Sequence, residues 1–267
     1  MKAKLYDEKG NAKSTIELPA VFSSSIREDI VAKYFEAFKQ QLTQPYATFS
    51  EAGKRHSASG RLFHRRHKWR TQYGKGISRV PRKTMYRHGT QFYWIGAEVS
   101  PTRGGRVAHP PRGLKRFRKI NEKEIKLAMN SAFASTASKD YVAKRYTSIS
   151  EMKDAKSVDA PFIIESLPLK TSDALESLKR IFGSLFQLVL KKKVVRAGKG
   201  KSRGRKYKSN AGLLLVFGDD EKIKIKGVDA KPISQLRITD LYPLGRLTLY
   251  TKKAIEQLNA QEKGGKK

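Results

Sequence analysis

Apolar residues follow two regimes along this chain. In residues 1–45 and again from 119 onward they recur at the spacings of strands and helices; between 46 and 118 they do not. KAKLY and STIEL flank an EKGN turn, which predicts an extended start over residues 2–18. A helix over 25–42 follows. Ser25 and Glu28 stand at capping-box spacing, and Ile26, Ile30, Tyr34, Phe38 and Leu42 recur at helical intervals beside Val31 and Phe35, ending before Pro45. Past residue 119, NEKEIKLAMNSAFAST predicts a helix over 121–138, with Asn121 as its cap and Glu124 three positions on. Ile125, Met129 and Phe133 share a face there with Ala128 and Ala132, residues small enough to lie close on a sheet. APFIIESL reads as a buried strand. SDALESLKRIFGSLFQLVL is one helix with Leu175, Leu178, Ile181, Phe182, Leu185 and Leu188 inward. AGLLLVFG and GRLTLYT are two further strands, and KKAIEQLNAQ is a closing helix. Strands alternating with helices define the α/β class: an open, mostly parallel sheet flanked by helices, built from 1–45 and 119–267 as one globular domain.

Residues 46–118 then form a long, non-globular basic loop inserted near the N-terminus. No helical or alternating apolar stripe lasts there for more than a few residues, and glycine and proline recur throughout. An insertion of this length is rare in a compact domain unless something outside the protein orders it. Its composition is not that of simple disorder. Both tryptophans, Trp69 and Trp94, lie in it, with Tyr46, Phe49, Phe63, Tyr73, Tyr86, Phe92, Tyr93 and Phe117. Aromatic rings interleaved with arginine suit stacking on bases and pairing with phosphates. Tyr46, Phe49 and Phe117, near the ends, are expected instead to anchor the insertion.

Charge sharpens this division. The 267 residues carry 57 Lys and Arg against 24 Asp and Glu, a net +33. Residues 46–120 hold 19 basic and 2 acidic side chains, and residues 191–210 hold 10 basic and none acidic; elsewhere the signs nearly balance. A solvated surface mixes its signs. Windows of one sign call for a polyanion, whose counterion release drives association. The second window contains VVRAGKGKSRGRKYKSN, residues 194–210, where glycines alternate with cations. There are no cysteines, which suits a reducing cytosol and excludes disulfides and thiolate metal sites. No apolar run is long enough to span a membrane, and the charged start MKAKLYDEKGNAK lacks the apolar core of a signal peptide.

Enzyme motifs fail on inspection. Gly200, Lys201 and Ser202 supply the GKS of a phosphate-binding loop, but the earlier glycine it needs falls on Val195, and a strand follows where a helix should. Gly198 and Gly200 begin a dinucleotide fingerprint whose third glycine falls on Arg203. All five histidines, His56, His64, His67, His88 and His109, lie in the basic insertion, and Arg65 and Arg66 separate the H-x-x-H pair, which disfavours a metal. Asp219, Asp220 and Glu221 follow a strand and read as a turn and helix start. A Mg²⁺ site there would need partners such as Glu165 or Asp240, which sequence spacing does not supply. The chain is read as no enzyme, with no protein-bound metal.

RAGKGKSRGRKY followed by a buried strand resembles the hallmark segment of archaeal and eukaryotic members of the universal large-subunit ribosomal protein L-four family. VAHPPRGLKRFRKINEKEIKLAMNSAFAST is similar to that family's return from its long loop, FIIESLPLKTSDALESL to its central strand and helix, and ITDLYPLGRLTLYTKKAIEQL to its C-terminal strand and helix. The short basic C-terminal region resembles the archaeal type. The resemblance implies a structural constituent of the large subunit, cytoplasmic and ribosome-bound. It would bind large-subunit ribosomal RNA and support its assembly, with its loop threaded toward the nascent-peptide exit tunnel. There the loop would help form the constriction beside the L-twenty-two family and close to the nascent polypeptide, with other large-subunit proteins as neighbours and no membrane. The tip maps to residues 74–89, making Arg79, Arg82, Lys83, Arg87 and His88 the tunnel-facing candidates, with 102–106 the alternative. No cofactor is expected beyond structural Mg²⁺ held by the RNA itself.

The residues expected to contact RNA fall in both basic windows. In the insertion they are Arg55, Arg61, Arg65, Arg66, Lys68, Trp69, Arg70, Arg79, Arg82, Lys83, Arg87, Arg103, Arg106, Arg112, Lys115, Arg116 and Arg118. In the second window they are Arg196, Lys199, Lys201, Arg203, Arg205 and Lys206. Arginine offers a planar fork to phosphate and a face to bases, while lysine acts more as a point charge. Physical chemistry alone also admits a non-ribosomal RNA chaperone or regulatory RNA binder.

Overall fold

The computed structural model describes residues 1–56, 58, 74–113, 118–146, 160–168, 170–223 and 225–264. Packing divides the chain into two units, Met1–Gln40 with Arg118–Lys267, and Gln41–Phe117.

The first unit is built on a six-stranded sheet. Its strands are β1 (Lys2–Tyr6), β2 (Ala12–Glu17), β5 (Phe162–Ile164), β8 (Leu214–Phe217), β9 (Asp229–Pro232) and β10 (Thr248–Thr251), in the order β2-β1-β5-β10-β8-β9. β1 and β2 form an antiparallel hairpin; every other pairing in this sheet is parallel. β9 was not evident in the sequence, because DAKP carries no apolar run. It lies at the sheet edge, where Pro232, lacking an N–H, disrupts no further ladder.

Parallel sheets are covered on both faces, so their strands read as unbroken apolar runs. Alternate residues here feed two cores. Phe162, Ile164, Leu213, Leu215, Leu247 and Leu249 pack with Leu178, Ile181 and Phe182. Ile163, Leu214, Val216 and Tyr250 point the other way, to Phe22, Phe133, Ala254 and Ile255. The helices behind these contacts are α2 (Glu122–Ala137), α4 (Thr171–Phe182) and α5 (Lys252–Gly264). Two more, α1 (Glu28–Leu42) and α3 (Lys139–Arg145), complete the set of longer helices among the described residues. The small residues of α2 do bring it close to the sheet: 131–137 are all buried, and the hydroxyls of Ser131, Ser135 and Thr136 donate to the carbonyls of Leu127, Ala132 and Phe133. Thr136 also shares a 3.0 Å hydrogen bond with the buried Tyr250 hydroxyl, whose ring sits edge-on to Phe22 at 5.3 Å.

Three local expectations are corrected. The first helix begins at Glu28, not Ser25. Ser24 Oγ donates to Asn130 O at 3.1 Å, and Ser131 Oγ accepts from Arg27 N–H at 3.3 Å, so contacts to α2 hold this segment outside the helix. Within α1 the buried positions are Val31 and Ala37, while Leu42 is exposed. Asn121 occupies the cap position of α2 without a side-chain bond, and Glu124 is drawn away to Lys33 on α1 at 2.8 Å. The long helix after residue 171 stops at Gly183, and a single further turn covers Phe186–Val189. Leu175 and Leu188 are only half-buried.

In the second unit, β3 (Arg82–His88) and β4 (Gln91–Gly96) form an antiparallel hairpin. This corrects the expectation of a segment without strand pattern. Gly89 and Thr90 make a two-residue turn with Gly89 at φ +52°, a conformation that glycine adopts without strain and that matches strand twist. A bulge between Thr84 and Tyr86 breaks the alternation of side chains, which hid the strands from a period-two search.

Candidate nucleic-acid interface

The acid-free window folds as a ribbon of its own. Among the described residues, β6 (Lys193–Val195) and β7 (Tyr207–Ser209) pair only with each other, placing Lys193 opposite Ser209, Val194 opposite Lys208 and Val195 opposite Tyr207. Valine and tyrosine favour the strands. The intervening tip satisfies much of its backbone internally. Arg196 N–H donates to Lys206 O at 2.8 Å, Lys201 N–H to Gly198 O, and the N–H groups of Arg203 and Arg205 to Gly200 O. A single 3₁₀ turn, Lys199–Lys201, stands where a nucleotide-binding loop would begin a helix. The side chains of Arg196, Lys199, Lys201, Arg203, Arg205 and Lys206 are all exposed around this tip, so the structure brings these six candidates together.

The root of the ribbon is held by a charge network around one buried arginine, which sequence reasoning missed. Arg246, with only 7% of its side chain exposed, pairs with Asp229 at 2.6 Å, and Asp229 also takes the Lys191 ammonium at 2.5 Å. Arg246 donates further to the carbonyls of Ala211 (2.8 Å), Gly212 (3.4 Å) and Asp240 (2.7 Å). One leg of the ribbon is thus gripped through Lys191 and the other through Ala211 and Gly212. Burial alone would raise the Asp229 carboxyl, but hydrogen bonds from Lys191 and Arg246 outweigh it and hold the group below its ordinary value. Asn210 joins the legs directly, accepting from Lys192 N–H at 2.7 Å and donating to Leu190 O at 3.2 Å. At Gly212, φ is +64° and a Cβ would lie 2.9 Å from Lys191 Cγ, so the crossing admits no side chain. The signal for this network in the sequence is a lone arginine, Arg246, two residues before the buried strand β10.

The second cation-rich ribbon is β3–β4. Arg82, Lys83, Arg87 and His88 share β3, with Arg79 just before it. Arg82 Nη2 donates to Ser78 O at 3.0 Å, and Arg87 Nε to Gly89 O at 2.8 Å. Tyr86 and Tyr93 face each other across the ribbon, 5.6 Å between ring centroids, and both are exposed. Residues 102–106, the alternative for the tip, lie next along this unit. They close a compact turn in which Thr102 Oγ1 donates to Val99 O at 2.6 Å and Gly105 N–H to Thr102 O at 3.1 Å, leaving Arg103 and Arg106 exposed. Tyr46 and Phe49, expected as anchors, are exposed, and Phe49 carries the Arg55 guanidinium 4.3 Å from its ring centroid. Arg112 and Arg118 are exposed as well. Arg61, Arg65, Arg66, Lys68, Trp69, Arg70, Lys115 and Arg116 lie outside the described residues, as do His64, His67 and Phe117.

The acidic cluster does structural work. Asp219 accepts from the Ser234 hydroxyl at 2.7 Å, and Glu221 from the Thr251 hydroxyl at 2.7 Å. Asp240 pairs with Lys231, and Glu165 with Lys13. Among the described residues, no three His, Asp or Glu side chains gather to hold a metal ion, and no helix is long and apolar enough to cross a membrane.

The first unit is thus a two-faced α/β domain with one cation-rich ribbon, and the second unit carries another. Comparison with known proteins makes this specific. Residues 16–261 match the model of the Ribosomal protein L4/L1 family. The chain is similar to the large ribosomal subunit protein uL4 of Nanoarchaeum equitans, at 36% identity over 98% of this chain and 99% of that protein. It is 38% identical to uL4 of Thermoplasma volcanium, over 96% of this chain and 97% of that one. It is 33% identical to uL4 of Archaeoglobus fulgidus, over 97% and 98%. The chain belongs to the ribosomal protein L4/L1 family, with archaeal relatives, and its role is that of a structural ribosomal component rather than an enzyme.

Proposed function

We propose that this protein binds large-subunit ribosomal RNA at two places, supports assembly of that RNA, and extends its inserted unit toward the wall of the nascent-peptide exit tunnel. The observation that carries the proposal is the β6–β7 ribbon: a 20-residue window with ten cations and no acid, exposed along its length and fixed at its root. A ribbon whose backbone is fixed at its root presents these cations together, so less backbone freedom is lost on binding. The β3–β4 ribbon supplies the second contact, and Arg79, Arg82, Lys83, Arg87 and His88 are the tunnel-side candidates, near the nascent chain and a neighbour of the L-twenty-two family. Recognition is of shape and of irregular single-stranded regions, because the deep groove of A-form RNA hides its sequence from side chains. Mg²⁺ in the complex is held by the RNA. The protein acts in the cytoplasm as part of the ribosome.

Co-sedimentation tests this. The protein should travel with large subunits in equal proportion through a high-salt gradient. A free RNA chaperone would instead be stripped by salt and appear on many RNAs.

A further inference from the structure

We propose that Tyr207 is a stacking platform for one unpaired base, and that through it the β6–β7 ribbon prefers an irregular RNA site to a regular duplex. The inference rests on the RNA-binding function proposed above. Opposed residues of an antiparallel ribbon share a face and successive pairs alternate. Lys193, Ser209, Val195 and Tyr207 therefore lie on one face, while Val194 and Lys208 on the other line a groove shared with Gln187 and Leu188. On the first face Tyr207 is 46% exposed and Val195 51% exposed, an apolar patch in the most cationic stretch of the chain.

Charge decides what covers that patch. Lys193 Nζ lies 4.1 Å from the Tyr207 ring centroid and Lys206 Nζ 5.6 Å from it. A protein partner burying the ring would have to neutralise both ammonium groups with acids of its own. A nucleotide brings a flat π face and a phosphate together. The base takes the ring, and Lys193, held beside the ring in the free protein, moves to the phosphate. Stacking of a base on an aromatic ring is the stronger of the two contacts, so the exchange favours binding. Bases inside an A-form duplex keep their faces in the stack; only an unpaired base can reach Tyr207.

The test uses the full-length chain and two RNA stems equal in length and charge. One carries a single bulged 2-aminopurine, and the other pairs that residue. Affinity is read by anisotropy at fixed salt, and stacking by quenching of 2-aminopurine fluorescence. Wild type should favour the bulged stem by about tenfold and quench its fluorescence. Tyr207→Phe should keep both effects. Tyr207→Ala should lose both while binding the paired stem as wild type does. Substituting Arg203 and Arg205 together by alanine should weaken both stems and leave their ratio unchanged. A Tyr207→Ala protein that still prefers the bulge, or a wild type that binds both stems equally, overturns the stacking role alone. Failure of wild type to bind either stem overturns RNA binding by the ribbon, and the stacking role with it. Tyr207 lies outside both cores, so an unchanged thermal melt for each variant verifies folding.

Discussion

Asp229→Ala removes the acid that joins the ribbon root to the sheet. The substitution leaves Arg246 buried and charged, 7% exposed, with no counterion. Breaking a buried pair from one side costs about 3–5 kcal/mol. Two features reduce this: Arg246 keeps its three carbonyl acceptors, and the Asp229 side chain is itself 34% exposed. A loss of roughly 2–3 kcal/mol is expected, which for a domain of this size lowers Tm by about 5–10 °C. Lys191→Met is the control, because it breaks a half-exposed pair worth about 1 kcal/mol or less. Thermal melts followed by circular dichroism compare the two. The pH dependence has a definite sign. The Asp229 carboxyl is depressed in the folded protein, so its contribution is present above the unfolded value of about 3.9 and is lost as pH falls through the folded value. The gap between wild type and Asp229→Asn should therefore be full near neutrality and close in acid below about pH 4. If Asp229→Ala costs no more than Lys191→Met, the network does not hold the ribbon root.

Further outcomes follow from other parts of the chain. Deleting residues 50–115 should leave a soluble domain that melts cooperatively and still binds RNA through residues 196–208; a chain that fails to fold would make the insertion part of the core. Gly212→Ala should cost about 1–3 kcal/mol in denaturant titrations, because the new Cβ meets Lys191 at 2.9 Å and φ is +64°. Tyr250→Phe should cost about 1 kcal/mol through loss of the buried bond to Thr136. Burial pushes the Tyr250 phenol up to about 12, so its contribution is full below about pH 10 and fades between there and about 12; the gap between wild type and Tyr250→Phe in alkaline melts measures this. Replacing Arg203 and Arg205 by alanine should reduce the salt slope of RNA binding by about 0.7–0.9 per lost phosphate contact.

Much of the sheet was legible because the parallel strands are covered on both faces. Ile163 and Leu214 face one core while their neighbours face the other, so FII and LLVF read as continuous apolar runs. Elements held by charge or by turn geometry were not legible. β9 pairs through its backbone and carries no apolar run. The β3–β4 hairpin hides behind a bulge at Met85, and the start of α1 is set by hydroxyl contacts to a helix more than a hundred residues away. The candidate interface divides the same way. Charge counting located the cations at the tip of the β6–β7 ribbon, because an acid-free window is visible in composition alone. It could not show that Val195 and Tyr207 share a face with Lys193, since that depends on register. Nor could it show that Asp229 and Arg246 fix the ribbon, since those residues meet only once the sheet has formed.

A density map of the large ribosomal subunit carrying this chain tests the central claim most directly. Residues 193–209 should lie against ribosomal RNA with Arg203 and Arg205 within hydrogen-bonding reach of phosphate oxygens, and residues 82–96 should run through RNA toward the exit tunnel. A ribbon standing in solvent with its arginines free, or an inserted unit lying on the subunit's outer surface, would contradict it.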